Sequence, residues 1–587
     1  LFALQVLDNE ENTQQIENQN FEVFYIPAAR GEIFDINGNK LATSNLEPYL
    51  FLNLRKINDN NKNIYVQLLE FNFEDITSSE IDEFFKSNDV FTKIINLSEY
   101  NTDIRLRLLD YEAFEVFNLP TRTYPYKELF SHVIGYVGKP NKDEQNDFPN
   151  SINNEIVGKT GLERYYENTI SGVASEVIVQ NGDIVEIKPP VSGKDIQLVL
   201  NTETQNIVKE SLQEGITLAN KNFDTINLIE RGAVVVQKID TGEIVSMVSL
   251  PDFDPNQFVL GISEFDFKQL NRTKAFNNFA IQGLYPPGSV FKVVAYWLAL
   301  NEGIFPETAL NAQDYIDCEG SLSFGFDDGS KQVYQDWKAD GHGKVNLSQA
   351  IKQSCNVYFW DIALKIWRTF GNTDSEALLQ EYSKQLGFSS LSNIDLPFEK
   401  EGVVPDRELF EEWTISRPEL VRPEGWLGGD LMNLIIGQGA ITTTPVQVSN
   451  AYRTLLTGEK SAPFISLDSS DRNIENINIS EEFVEFLLND LNLVTNPGGT
   501  AYRSFQIMGD QIFDIGGKTG TAQNAGELNN TSWFVGVDSI SNPTYLIVTV
   551  VEEGGSGSAV AAPISRRIIQ HLRESELTPV EFGEITE

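Results

Sequence analysis

Three short polar motifs, each set at a different kind of backbone element, constrain this chain more than any other feature. The first is Tyr285-Pro286-Pro287-Gly288-Ser289-Val290-Phe291-Lys292, where a rigid turn delivers Ser289 to the start of an apolar helix predicted over 290–300. Lys292 stands three positions on, and side chains at i and i+3 share one helix face, so its amine reaches the Ser289 hydroxyl. The second is Ser354-Cys355-Asn356, behind the amphipathic run from Leu347 to Gln353. The third is Gly516-Gly517-Lys518-Thr519-Gly520-Thr521, just ahead of a strand predicted over Ser532 to Val537. Each alone is ordinary: a helix-starting serine with a solvated lysine, a capped turn, an exposed strand end. Together, in this order, they call for a fold that brings a helix start, a loop and a strand edge to one place.

The residue types are those acyl transfer needs: a nucleophile, a proton route, an oxyanion hole and a grip on a carboxylate. Serine is inert without a base, and a lysine desolvated against an apolar helix serves as one. Ser289 then attacks while Lys292 takes its proton, and Ser354 and Asn356 relay the proton and hold a substrate amide. Lys518 with the Thr519 and Thr521 hydroxyls, flanking Gly520, offers a cation and hydrogen bonds to a carboxylate. The backbone N–H groups of Ser289 and Thr521 form the oxyanion hole, the latter because an edge strand presents outward-facing donors.

The frame around these motifs is large. A chain of 587 residues exceeds what one core organises, so two or more domains are expected. With 44 basic against 85 acidic residues the net charge is -41, which disfavours binding to nucleic acid or to an anionic membrane face and fits either a solvated acidic surface or a salty medium. No stretch approaches the ~18 to 20 consecutive apolar residues of a membrane span. The opening Leu1-Phe2-Ala3-Leu4-Gln5-Val6-Leu7 is read as the outer end of an anchor. Residues 21 to 46 read as strands punctuated by the Asn37-Gly38 turn, 47 to 130 as short strands with polar connections and a helical period at 80–86, and 186 to 202 as the main boundary. A hairpin about Asp240-Thr241-Gly242-Glu243 and late strands at 532–537 and 545–551, followed by a helix at 564–572, predict one antiparallel sheet built from both ends of the second domain.

The ordered Ser-x-x-Lys, Ser-x-Asn and Lys-Thr-Gly set resembles the signature of the penicillin-binding proteins. The resemblance is broad, running through Arg30-Gly31-Glu32-Ile33-Phe34-Asp35, His132-Val133-Ile134-Gly135-Tyr136-Val137-Gly138, Gly158-Lys159-Thr160-Gly161-Leu162-Glu163-Arg164, Ile436-Gly437-Gln438-Gly439 and Gly499-Thr500-Ala501. Asp336-Trp337-Lys338-Ala339-Asp340-Gly341-His342-Gly343 makes it similar to the elongation type of class B. The resemblance implies an α+β fold: an elongated, mainly β N-terminal pedestal at 1–200, with a head subdomain at 47–130, and a transpeptidase domain at 201–587 whose antiparallel sheet is flanked by helices and carries an all-helical subdomain. It implies D,D-transpeptidation of peptidoglycan stem peptides from lipid II-derived glycan through an acyl-serine on Ser289, inhibition by β-lactams, and no cofactor required for catalysis. It further implies a single-pass anchor in the cell membrane before residue 1, an extracytoplasmic catalytic domain, a SEDS-family glycosyltransferase partner and a scaffold protein of the elongation complex. The alternative is a β-lactam sensor, or a scaffold that activates the glycosyltransferase without transpeptidation. One departure is Ser532, ahead of Trp533-Phe534, where alanine or histidine is often expected.

The two cysteines, Cys318 and Cys355, bracket Asp336 and His342. Cys, Asp, His and Cys suit a four-coordinate structural zinc, which some relatives resemble in carrying near the Ser-x-Asn loop. A disulfide and two buried free thiols remain open alternatives.

Overall fold

The computed structural model describes residues 21–222, 228–325, 331–469, 472–524, 526 and 528–581. The heptad at residues 1–7 lies outside them. In the N-terminal region, strand Phe21–Ile26 pairs antiparallel with Ser175–Gln180, which pairs in turn with Asp183–Lys188. The long strand Lys40–Asn53 pairs with Phe114–Thr123 and Phe91–Asn96. Between Ile33–Phe34 and this strand the Asn37-Gly38 turn forms as expected, with Gly38 at φ 82°. The Asp35 carboxylate organises the turn by accepting from the Asn37 and Asn39 amides, and it also accepts from Thr202 Oγ1 at 2.6 Å. One side chain thus shapes a hairpin and ties it to helix Thr202–Asn222, where the second half of the chain begins.

Residues 47–130 hold three helices, Lys62–Asn72, Ser78–Phe84 and Thr102–Leu109. The middle one starts two residues ahead of the helical period read at 80–86, because Thr77 and Glu80 form a capping box. The other two bury only Tyr65 and Leu69, and Leu108. Too few apolar positions recur for a 3.6-residue period to be read from them. At the base of this region Arg30 meets Glu163 at 2.7 Å and Glu167 at 2.8 Å, and Arg122 meets Glu163 at 2.6 Å, all buried. Burial penalises the ionised Glu163, yet the Arg122 and Arg30 guanidiniums outweigh it and hold the carboxyl below its usual range. The segments around Arg30 and Glu163, far apart in sequence, are therefore two halves of one ionic knot.

The second half is built on a five-stranded antiparallel sheet: β1 (Gly232–Lys238), β2 (Ile244–Leu250), β3 (Gly516–Ala522), β4 (Thr531–Val537) and β5 (Tyr545–Val551), in the order β2-β1-β5-β4-β3. Every residue of β2 and β4 is buried, so these strands are covered on both faces and show no alternation of buried and exposed positions. Helix Thr202–Asn222 and the C-terminal helix Ala562–Leu572 pack on the sheet, their contact close enough that a Cβ at Gly215 would lie 2.3 Å from Ile564. Helix Pro445–Thr457 packs on β1 and β5. Between β2 and β3 the chain builds, among others, the helices that surround the first two motifs: α1 (Lys292–Glu302), α2 (Leu347–Lys352), α3 (Asn356–Phe370) and α4 (Glu481–Thr495). The first half joins this domain through Val199, whose amide donates to the Ile465 carbonyl at 2.8 Å, and through Tyr166, whose hydroxyl donates to the buried Asp395 at 3.1 Å.

Candidate active site

Ser289 lies in a single 3-10 turn, Gly288–Phe291, and Lys292 is the first residue of α1. The apolar α1 buries eight of its eleven residues, Lys292 among them. Burying an amine is costly unless it is hydrogen-bonded. Lys292 Nζ accordingly donates to the Ser354 carbonyl at 2.7 Å, to Asn356 Oδ1 at 2.7 Å and to Ser354 Oγ at 3.2 Å. From the other side Lys518 Nζ donates to Ser354 Oγ at 2.9 Å and to the Thr519 carbonyl at 3.1 Å. Ser354 is held at φ 54°, a left-handed conformation that a serine rarely adopts. This conformation places its hydroxyl between the two lysine amines, a position no regular helix would give it.

Strand β3 is the sheet's edge, and it lies against the turn that carries Ser289. A Cβ at Gly520 would sit 2.9 Å from Val290 Cγ1 and 3.0 Å from the Pro287 carbonyl oxygen, so this glycine is what lets the strand approach. Trp533 Nε1 donates to the Pro286 carbonyl at 3.0 Å, and Tyr452 OH to that of Val290 at 2.8 Å, fixing the turn from two sides. Lys292, Ser354, Lys518, Thr519 and Gly520 are buried, whereas Ser289, Asn356 and Thr521 are half-exposed. The buried members bridge the site from beneath, and the half-exposed ones are the groups a substrate can touch. All eight residues named from the three motifs are thus brought to one locus.

Four supporting residues were given no role by the motif reading, although Gln438, Thr500 and Ser532 stand in segments it singled out. Thr500 Oγ1 lies 2.7 Å from Thr519 Oγ1. Asp490, on α4, accepts from Tyr296 of α1 at 2.7 Å and from Ser348 of α2 at 2.9 Å. Its sequence signal was present: Asp490 is the acid on the face of α4 that buries Phe483, Leu487, Leu491 and Val494. Gln438 hydrogen-bonds around Thr521. Ser532, the departure noted above, donates to the Ser556 carbonyl at 2.9 Å and accepts from the Ala561 amide at 3.1 Å. It thereby secures the turn whose Gly557 amide donates to Thr521 Oγ1 at 3.1 Å.

The cysteine constellation also converges. Cys318 Sγ lies 3.1 Å from Cys355 Sγ, 3.3 Å from His342 Nδ1 and 3.9 Å from Asp336 Oδ2, and both thiols are free. The four donor atoms all fall within 4.8 Å of one another. Asp336 Oδ2 also accepts from the Asn356 and Val357 amides, at 2.9 and 3.3 Å, capping α3 immediately after the Ser-x-Asn loop. Hydrogen bonding from Cys355 lowers the Cys318 thiol's pKa, and burial raises that of Cys355.

Residues 232–570, more than half of the chain, match the penicillin binding protein transpeptidase domain, and residues 25–198 match the penicillin-binding protein dimerisation domain. The chain belongs to the penicillin-binding protein transpeptidases. Within them it is of the class B, PBP2-like kind, with a dimerisation-type domain ahead of the transpeptidase. The peptidoglycan D,D-transpeptidase MrdA of Escherichia coli K12 is 29% identical over 97% of this chain and 90% of its own length. The MrdA of Acinetobacter baumannii is 28% identical over 96% of this chain and 83% of its own. Among solved structures, the complex of the Helicobacter pylori penicillin-binding protein PBP2 with MreC superposes with a TM-score of 0.78 at 25% identity, covering 95% of this chain and 99% of that one.

Proposed function

We propose that this penicillin-binding protein cross-links peptidoglycan stem peptides during cell elongation, outside the cytoplasm, as a serine D,D-transpeptidase. Ser289 Oγ attacks the carbonyl between the two terminal D-alanines, and Lys292 takes its proton. The backbone N–H groups of Ser289 and Thr521 stabilise the oxyanion. Collapse forms an ester on Ser289 and breaks the amide, and the leaving amine of D-alanine takes a proton relayed through Ser354. An amine from a second stem peptide then attacks the ester, forms the cross-link and returns the hydroxyl to Ser289. Lys518, Thr519 and Thr521 grip the terminal carboxylate, and Asn356 holds the substrate amide.

The observation that carries this reading is the bridge Lys292 Nζ to Ser354 Oγ to Lys518 Nζ, with spacings of 3.2 and 2.9 Å. One hydroxyl between two amines is a proton path joining the base beside Ser289 to the carboxylate-binding strand. β-Lactams, which present a strained amide beside a carboxylate, are proposed to acylate Ser289 by the same route. Fluorescent penicillin, followed by peptide mapping, should label wild type on Ser289 stably and stoichiometrically and leave Ser289→Ala unlabelled. A folded wild type that takes no label would favour the alternative, a scaffold that activates a SEDS-family glycosyltransferase. Such a glycosyltransferase and a scaffold protein of the elongation complex are the proposed partners, and the H. pylori relative is itself solved in complex with MreC.

We further propose that Cys318, Asp336, His342 and Cys355 hold a structural zinc. The donor set is one zinc prefers, and four of the donor-to-donor distances, 3.1 to 3.9 Å, are close to the ~3.3 to 3.8 Å edges of a tetrahedron built on usual zinc bonds, with all four atoms within 4.8 Å of one another. Bound there, the metal would neutralise the thiolates and fasten the loop that carries Ser354 and Asn356.

A further inference from the structure

An oxyanion hole made of two backbone amides works only if both are aimed before the reaction, since their value lies in needing no reorganisation. The Ser289 amide belongs to a helical turn and is aimed by it. The Thr521 amide belongs to the edge strand β3, and residue 521 is the last but one residue of that strand. In a strand, the N–H and C=O of one residue point to the same side, as do those of residue i+2. What holds the outer side of Thr521 therefore decides where its N–H points.

That side is held by a side chain. Gln438 Nε2 donates to the Thr521 carbonyl at 3.1 Å, and the Gln523 amide donates to Gln438 Oε1 at 3.2 Å. A carboxamide bonded to C=O of i and N–H of i+2 reproduces the pairing a sixth strand would offer. The preceding residue secures the opposite wall: the Gly437 carbonyl accepts from the Gly288 amide at 2.8 Å. The approach is close enough that a Cβ on Gly437, which sits at φ 72°, would lie 2.1 Å from the Gly288 carbonyl oxygen. A Cβ on Gly288 would in turn lie 2.8 Å from the Thr521 carbonyl oxygen. Gly437-Gln438 is thus one dipeptide fastened to both walls of the hole.

We propose that Gln438 is a positioning residue of the acylation step, setting the Thr521 peptide so that its N–H meets the developing oxyanion. The inference rests on the assignment of Ser289 and Thr521 to the oxyanion hole. Its requirement is chemical as well as steric: the side chain must donate to Thr521 O and accept from Gln523 N at once. Methionine fills the space and does neither. An ionised glutamate accepts but cannot donate, and it sets a negative charge near the oxyanion. A protonated glutamate does both.

The test is stopped-flow acylation of the purified chain by fluorescent penicillin, resolving noncovalent affinity from the acylation rate constant, for wild type, Gln438→Met and Gln438→Glu between pH 5 and 8. Gln438→Met should acylate about tenfold or more slowly at every pH, with noncovalent affinity and melting temperature near wild type; loss of one oxyanion donor outright costs about 10² to 10³. Gln438→Glu should be as slow at pH 8 and recover toward wild type as pH falls through the carboxyl's titration. Wild-type rates in Gln438→Met, a loss confined to noncovalent affinity, or a Gln438→Glu to wild-type ratio that does not change with pH would each overturn the proposal while leaving Ser289 as nucleophile intact. Failure of wild type itself to label on Ser289 would overturn the underlying assignment and the proposal with it.

Discussion

Asp490 receives both its hydrogen bonds on the same oxygen, Oδ2, from Tyr296 and Ser348. Burial raises its pKa above the ordinary carboxylate value, against the lowering effect of those two hydroxyls. A carboxyl whose folded pKa is raised stabilises the fold fully below its unfolded pKa and loses that contribution as pH rises through the folded value. A single carbonyl oxygen has two lone pairs, so asparagine can accept from both hydroxyls without titrating. Asp490→Asn should therefore gain stability relative to wild type as pH is raised from about 4 to 7, on the order of 1 kcal/mol per unit of pKa shift. Urea unfolding at several pH values checks this, and a mutant that falls progressively behind wild type over that range would show that the ionised carboxylate is the stabilising form.

At the scale of elements, the site depends on how α3 begins. Its first two amides point at Asp336 Oδ2, and Cys355, the residue before it, faces Cys318. A zinc held by this cluster would lock the loop at Ser354 from behind, while Lys292 and Lys518 hold it from the front. Metal analysis of gently purified protein should find zinc at one per chain. Its removal by chelation should lower the melting temperature and slow penicillin acylation about tenfold, in the range seen when support around a metal site is lost. Absence of stoichiometric zinc would leave two buried thiols as the structural role of these cysteines.

For the whole molecule, the net charge of -41 is the dominant long-range force. Self-repulsion of this size opposes compaction, and salt screens it as the Debye length contracts from about 30 Å at 0.01 M to about 3 Å at 1 M. The melting temperature should rise from low to molar salt, and a flat response would show that self-repulsion does not limit the stability of this chain. The ionic knot of Arg30, Arg122, Glu163 and Glu167 should be nearly insensitive to the same salt, because it is buried where ions do not reach.

The sequence by itself determined the candidate site's residue types, their order, and the kind of local element near each, because turn, helix and strand signals are short-range: Pro286-Pro287-Gly288 before Ser289, an amphipathic run before Ser354, glycines around Lys518. It also disclosed the antiparallel sheet built from both ends of the second half, through apolar runs that only buried strands sustain. It did not disclose the helices at 62–72 and 102–109, whose few buried residues leave no period. Nor did it disclose Asp490 or the roles of Gln438, Thr500 and Ser532, since each acts on a residue at least 19 positions away in sequence. Only the tertiary structure decided that a strained serine would lie between two lysines, because that position is set by three elements packing together and is stable only where the surrounding fold over-determines it.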